Sequence, residues 1–136
     1  MTDRPTAVTA AHFILYVADP ARSVAFYRLA LDRAPSLDVP GMAEFVLRDG
    51  CVLGLMPEDG IVRLLGAGLS HPSQARGVAR AELYLLVADP AAAHARALAA
   101  GARELSPVLP RDWGHVAGYS LDPDGHVIAF AAPQPP

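Results

Sequence analysis

The tetrapeptide Val-Ala-Asp-Pro occurs twice in the chain, at residues 17–20 and 87–90. The apolar runs FILY and LYLL, typical of β-strands, precede the two copies, and alanine-containing stretches typical of helices follow them. An aspartate at the N-cap accepts hydrogen bonds from the first free helical amides, and proline suits the next position because no amide hydrogen is needed there. The repeat therefore predicts two strand-to-helix turns, with helices at residues 20–31 and 90–100.

The two halves of the chain also end alike. Asp49-Gly50 and Asp124-Gly125 each precede a β-rich run, and a turn glycine followed by such a run indicates a hairpin. Each half has room for one more strand between helix and hairpin, near residues 35–39 and 104–109. Each half is therefore predicted to be a β-α-β-β-β unit.

Length and repeat together define the domain organisation. A chain of 136 residues holds one domain, so we expect a single α+β domain over residues 1–136. Its modules are predicted at residues 11–57 and 80–131, and the linker at residues 58–79 contains a short helical turn near residues 61–65.

Composition excludes several classes of function. A net charge of −3 gives no basic surface for phosphates, so nucleic acid is not an expected partner. The single cysteine, Cys51, excludes an intrachain disulfide and a cysteine-rich zinc site. The chain has no apolar run of about 20 residues, and the N-terminal MTDRPTAVTAAH has no signal-peptide core. We therefore expect a cytoplasmic protein without a membrane partner.

Three features together resemble the vicinal oxygen chelate superfamily, which includes glyoxalase I, the bleomycin resistance proteins and the extradiol dioxygenases. They are the tandem βαβββ modules with Asp-Pro-capped helices, the pair Phe26-Tyr27 in the first helix, and Asp-Pro-Asp-Gly-His at residues 122–126. The resemblance spans residues 11–131. It implies mixed sheets that curl into a cup, a ligand on the concave face, and a homodimer that commonly completes the cup. A shared fold does not define an activity.

In metal-dependent members of that superfamily, the ligands come from the first and last strand of each module. The matching positions here hold His12 and Glu82 on the first strands, but Gly54 and Ala129 on the last. A catalytic zinc needs three protein ligands, and glycine and alanine have no side-chain donor. The resemblance therefore predicts neither a metal nor another cofactor. The remaining candidates for a third ligand are His115 and His126.

Candidate ligand contacts follow from strand alternation and from the resemblance. Alternation places His12 on one face with Tyr16, and Glu82 on one face with Tyr84. Trp113 lies in a polar loop before a strand, where a rigid aromatic side chain can stack on a planar ligand. The other expected contacts with the ligand are Phe45, Met56, His115 and Tyr119.

Each of these residues also has a purely structural interpretation. His12 could bond to backbone or water, and Trp113 could close the core. Glu82 is costly in an apolar strand unless it is paired or protonated, but it could lie at an exposed strand end beside Arg80 or Arg63.

The favoured function is metal-independent binding of an apolar or aromatic small molecule, such as an antibiotic, which the protein sequesters. Apolar area and a few polar anchors suffice for this, and catalysis is not favoured. The alternative is a glyoxalase-like lyase or isomerase, or a dioxygenase. Such an enzyme would depend on a metal or would use Glu82 or His12 for proton transfer. Ser70 and Ser120 have no evident base.

Overall fold

A computed structural model describes residues 5–136. Residues 1–4, which belong to the predicted domain and to the stretch predicted to carry no signal peptide, lie outside the described residues. The elements in chain order are β1 Ala11–Val17, α1 Pro20–Ala30, β2 Leu37–Val39, β3 Met42–Arg48, β4 Cys51–Pro57, α2 Glu58–Leu65, β5 Glu82–Leu86, α3 Pro90–Ala99, β6 Arg103–Pro110, β7 His115–Leu121 and β8 Val127–Pro133.

Each half of the chain forms one four-stranded mixed sheet. The strand orders are β1-β4-β3-β2 and β5-β8-β7-β6, so the two halves have the same topology. In each sheet the first strand pairs in parallel with the last, and the other pairs are antiparallel. The predicted α+β class and the β-α-β-β-β order of each half are confirmed. We refer to the two halves as the first and second modules.

The repeated tetrapeptide forms the two helix starts as predicted. The carboxylate of Asp19 accepts a hydrogen bond of 3.2 Å from the amide of Arg22, and Asp89 accepts one of 3.1 Å from Ala92. Both helices begin with proline and end one residue before the predicted boundary.

One face of each sheet packs against its helix. In the first module, Tyr27 of α1 lies in the same core as Phe45, Leu53 and Leu55. Phe45 is fully buried there, so its predicted place on the concave face is wrong. Its backbone register explains this, because Phe45 lies opposite Leu53 on the helix-facing side. The other side of each sheet is called its open face below.

The Asp-Pro-Asp-Gly-His turn of the second module docks on the first module. Asp124 accepts hydrogen bonds from the amide of Ala18 and the hydroxyl of Ser23, at 2.8 and 3.1 Å. The Tyr27 hydroxyl donates to Asp122 at 2.5 Å. Burial, followed by the charge of Asp122, raises the pKa of Tyr27 well above its ordinary value. The phenol therefore keeps the proton that it donates. The Phe26-Tyr27 pair and the Asp-Pro-Asp-Gly-His turn thus hold the two modules together.

The linker is more ordered than the sequence suggested. The helical turn expected near residues 61–65 is the full helix α2, which begins at Glu58, and 3₁₀ helices follow at Gly66–Gly68 and Pro72–Ala75. None of the helices in residues 5–136 has the length and apolar character required to cross a bilayer.

Candidate functional site

The two open faces carry side chains at equivalent positions in the two modules. In the first sheet, Gly54 lies between Ile14 and Glu44 in the strand register. In the second sheet, Ala129 lies between Tyr84 and Tyr119. Gly54 and Ala129 therefore lie at the centres of the two open faces, each between larger side chains.

The open face of the first module is mainly apolar with one polar pair. The Nδ1 atom of His12 lies 3.6 Å from Oε2 of Glu44, and both side chains are partly exposed. A Cβ atom built on Gly54 would lie 3.0 Å from Ile14 and 3.4 Å from the sulfur of Met42. These two apolar side chains cover the position from which a coordinating side chain would project.

The open face of the second module carries a hydrogen-bonded aromatic cluster. The Trp113 indole N–H donates to the Tyr84 hydroxyl oxygen at 2.9 Å. That oxygen also lies 2.6 Å from Nδ1 of His115, and the rings of Tyr84 and His115 stack with their centroids 5.8 Å apart. Because Trp113 is held in place but remains 56% exposed, its ring is available to a ligand and does not close the core.

Tyr119 extends this cluster across β7. Partial burial raises the pKa of the Tyr119 phenol, with smaller contributions from Glu82 and Tyr84. The guanidinium of Arg111 lies 5.1 Å from the Tyr119 ring centroid, while it donates to the carbonyl oxygens of Ala117 and Pro107. Arg111 therefore fixes the loop that carries Trp113.

Glu82 lies at the exposed start of β5. Among residues 5–136 it forms no ion pair, so neither Arg80 nor Arg63 neutralises it. Exposure also removes the cost of burying the carboxylate. The open face of the second module thus combines aromatic rings with an unpaired negative charge.

Two predicted contacts, Tyr16 and Met56, and the candidate metal ligand His126 occupy less accessible positions where the modules meet. Tyr16 and Met56 are cross-strand neighbours near the end of β1 and are partly buried. The imidazole Nε2 of His126 lies 2.9 Å from the carbonyl oxygen of Tyr16, which ties the second module to the first. His126 is therefore engaged in the contact between modules.

The side chains present do not fit a bound divalent metal ion. Gly54 and Ala129 provide no donor, so at most two of the four matching positions, His12 and Glu82, could bind an ion. Within the described part of the chain, no three His, Cys, Asp or Glu side chains are grouped closely enough to hold an ion. Catalytic zinc sites use three protein ligands, whereas on the open face of the first module His12 has only Glu44 close by, at 3.6 Å.

Apart from Phe45, which is buried in the core, the predicted contacts form two groups, one on each open face. The cluster of Tyr84, Trp113, His115 and Tyr119 is the more developed group. A cleft of about 590 Å³ lies between the modules, and Tyr84 is the only predicted contact that lines it. Glu44 and Arg111 were not singled out from the sequence, although both contribute to the open faces.

Paired βαβββ modules with an open face on each sheet define the class of protein to which this chain belongs. Residues 9–130 match the model of the Glyoxalase/Bleomycin resistance protein/Dioxygenase superfamily. The chain is a member of this superfamily, which is the vicinal oxygen chelate superfamily. No curated protein matches the chain.

Solved structures share the fold at low sequence identity. A glyoxalase-related enzyme from Fulvimarina pelagi is 24% identical with a TM-score of 0.76, and the match covers 91% of this chain and 87% of that one. A glyoxalase/bleomycin resistance protein/dioxygenase from Nocardioides is 23% identical with a TM-score of 0.68, covering 98% and 87%. TioX from Micromonospora sp. ML1 is 19% identical with a TM-score of 0.68, covering 91% and 98%. These similarities establish the fold alone.

Proposed function

We propose that this protein binds an apolar or aromatic small molecule without a metal ion and thereby sequesters it. An antibiotic is the ligand class that the bleomycin resistance branch of the superfamily suggests. The proposal rests chiefly on one observation: the exposed ring of Trp113 is held by Tyr84 on an open face that has lost its metal-ligand position to Ala129.

The aromatic cluster has the properties of a preorganised binding surface. The hydrogen bonds that join Tyr84 with Trp113 and His115 fix the three rings before a ligand arrives. This lowers the entropic cost of association. An offset-stacked aromatic ligand gains about 0.5–1.5 kcal/mol beyond its area burial. A planar ligand is therefore the best match.

Polar anchors are available on both open faces. Glu82 can accept hydrogen bonds from a ligand because no ion pair within residues 5–136 occupies its carboxylate. The His12 and Glu44 pair offers a donor and an acceptor on the first module. A few such groups are sufficient to orient a mostly apolar ligand.

The first test is titration with planar aromatic antibiotics and with the dye acridine orange. Trp113 is the only tryptophan, so its fluorescence reports on this face without interference. We expect saturable quenching by at least one compound and, by calorimetry, roughly tenfold weaker binding in Tyr84→Ala. The control Leu65→Ala, on the exposed side of α2, should bind like the parent protein.

A chelator separates this proposal from the enzymatic alternative. We expect the titration to be unchanged after EDTA treatment, and each compound to be recovered intact. Stoichiometric Zn, Ni, Mn or Fe in the purified protein would contradict metal-independent binding. Consumption of a bound compound that stops in His12→Gln or Glu82→Gln would instead support acid-base catalysis.

We also propose that a second copy of the chain completes the binding cup. In the part of the chain that the structure describes, residues 5–136, β1 and β5 each end their sheet, so one side of each strand has no partner strand. Both strands expose apolar side chains, with Phe13 at 53% and Leu86 at 62% exposure. Unpaired, apolar edge strands favour association, and joining them would bring the two kinds of open face together.

Light scattering tests the assembly. We expect the parent protein to have twice the mass of the 14.3 kDa chain, and Leu86→Arg to shift it toward the monomer because a charge is placed at the interface. Leu64→Arg is the matched control, since Leu64 is exposed on α2. A monomeric parent protein would rule out this part of the proposal.

A further inference from the structure

The linker holds a serine, a histidine and an aspartate in a continuous hydrogen-bonded line. The Ser73 hydroxyl lies 2.7 Å from Nδ1 of His71, and Nε2 of the same ring lies 2.7 Å from Oδ1 of Asp59. Asp59 belongs to the first turn of α2, whereas His71 and Ser73 belong to the start of a 3₁₀ helix. None of the three side chains is among the residues assigned to ligand binding.

The backbone determines which nitrogen of His71 carries the proton. The amide N–H of Ser73 donates to Nδ1 at 3.2 Å. A backbone amide can only donate, so Nδ1 must be the unprotonated nitrogen of a neutral imidazole. The proton therefore resides on Nε2 and is donated to Asp59, and the Ser73 hydroxyl donates to Nδ1. This is the protonation pattern of a serine with a general base and a carboxylate that orients the base.

We propose that Ser73 is a nucleophile that His71 activates and that activated esters acylate. The Ser73 oxygen forms a bond to the ester carbonyl carbon, and the bond between that carbon and the leaving oxygen breaks. The hydroxyl proton passes to Nδ1 of His71 and then to the departing phenolate or to water. The products are acyl-Ser73 and the free alcohol or phenol.

The surroundings favour acylation over rapid turnover. Ser73 is exposed, so an acyl donor can approach it. Asp59 is also exposed, with 80% of its side chain accessible, so water competes with the His71 imidazole for its carboxylate. Asp59 is therefore a positioning residue with a small effect. Because a phenolate leaves more readily than a serine alkoxide, an activated ester acylates Ser73 faster than the acyl-serine is hydrolysed.

Acylation by p-nitrophenyl acetate tests the proposal. The chain contains no lysine, so the N-terminal amine is the main competing amine. We expect mass spectrometry to show rapid addition of one acetyl group, located at Ser73 by peptide mapping. Ser73→Ala should lose this acetylation, and His71→Gln should slow it by roughly 100-fold because the general base is removed.

Two further variants separate activation from simple exposure. Ser70 is an exposed linker serine in the same segment, so Ser70→Ala should acetylate like the parent protein. Asp59→Asn should slow acetylation by about fivefold or less, and Asp59→Glu should restore it. Equal acetylation of Ser70 and Ser73, or an unchanged rate in His71→Gln, would overturn the proposal. All variants remain testable for ligand binding, so failure here leaves the proposed function unaffected.

Discussion

Replacing Asp122 by alanine should lower the free energy of unfolding by about 3 kcal/mol, because several buried donors lose their acceptor at once. Asp122 is buried and accepts the Tyr27 hydroxyl through one carboxylate oxygen. Its other oxygen accepts the backbone amides of Asp124 and His126, each at 2.9 Å. The substitution leaves a buried phenol and two turn amides without partners.

The loss should appear in urea unfolding at neutral pH, where the Tyr27 phenol is protonated. Asp112→Ala is a suitable control, since Asp112 lies on an exposed loop of the same module; it should change stability by less than about 0.5 kcal/mol. In a double-mutant cycle, Asp122→Ala and Tyr27→Phe should cost less together than the sum of the two. Additive losses, or a loss below about 1 kcal/mol in Asp122→Ala, would show that this contact does not hold the modules together.

The fold could be predicted because its signals are local and occur twice. The Asp-Pro helix starts and the Asp-Gly turns depend on neighbours within a few residues, and each appears in both halves. The ends of α1 and α3 were therefore predicted to within one residue. The docking of Asp122 and Asp124 on α1 could not be predicted, because it joins residues about a hundred positions apart in the chain.

The open faces were only partly predictable, because alternation assigns faces within one strand but not between strands. Alternation alone was enough to predict that His12 shares a face with Tyr16, and Glu82 with Tyr84. Phe45 required the pairing of β3 with β4, and without that register it was assigned to the wrong face. The same register places Glu44 beside Gly54. The unknown pairing of β3 with β4 therefore explains both why Phe45 was assigned to the wrong face and why Glu44 was missed.

The serine at residue 73 was missed for a different reason. Its base, His71, is two residues away, but the carboxylate that orients His71 comes from α2. The sequence predicted a shorter helical turn that excluded Asp59, so the three residues were not connected.

Gly118→Ala should destabilise the second module by about 2 kcal/mol, because there is no space for the added methyl group. Gly118 lies on the helix-facing side of β7, and a Cβ atom there would be 2.8 Å from both His94 of α3 and Val108. His94 is 5% exposed and is held at 2.8 Å by Glu104, so its ring has little freedom to move away. Urea unfolding of the variant measures the effect.

One of the two partners of this clash can be removed separately. His94→Ala removes the imidazole but leaves Val108 in place, so Gly118→Ala should cost less in the His94→Ala background than in the parent protein, while part of the penalty remains. Additivity within about 0.5 kcal/mol would show that the methyl group is accommodated without displacing His94. Tyr119, the next residue along β7, points to the open face, so folded Gly118→Ala should bind the same planar compounds as the parent protein. A loss of binding by the folded variant would mean that the position of α3 affects the open face on the other side of the same sheet. The helix-facing side and the open face of the second module would then not be independent.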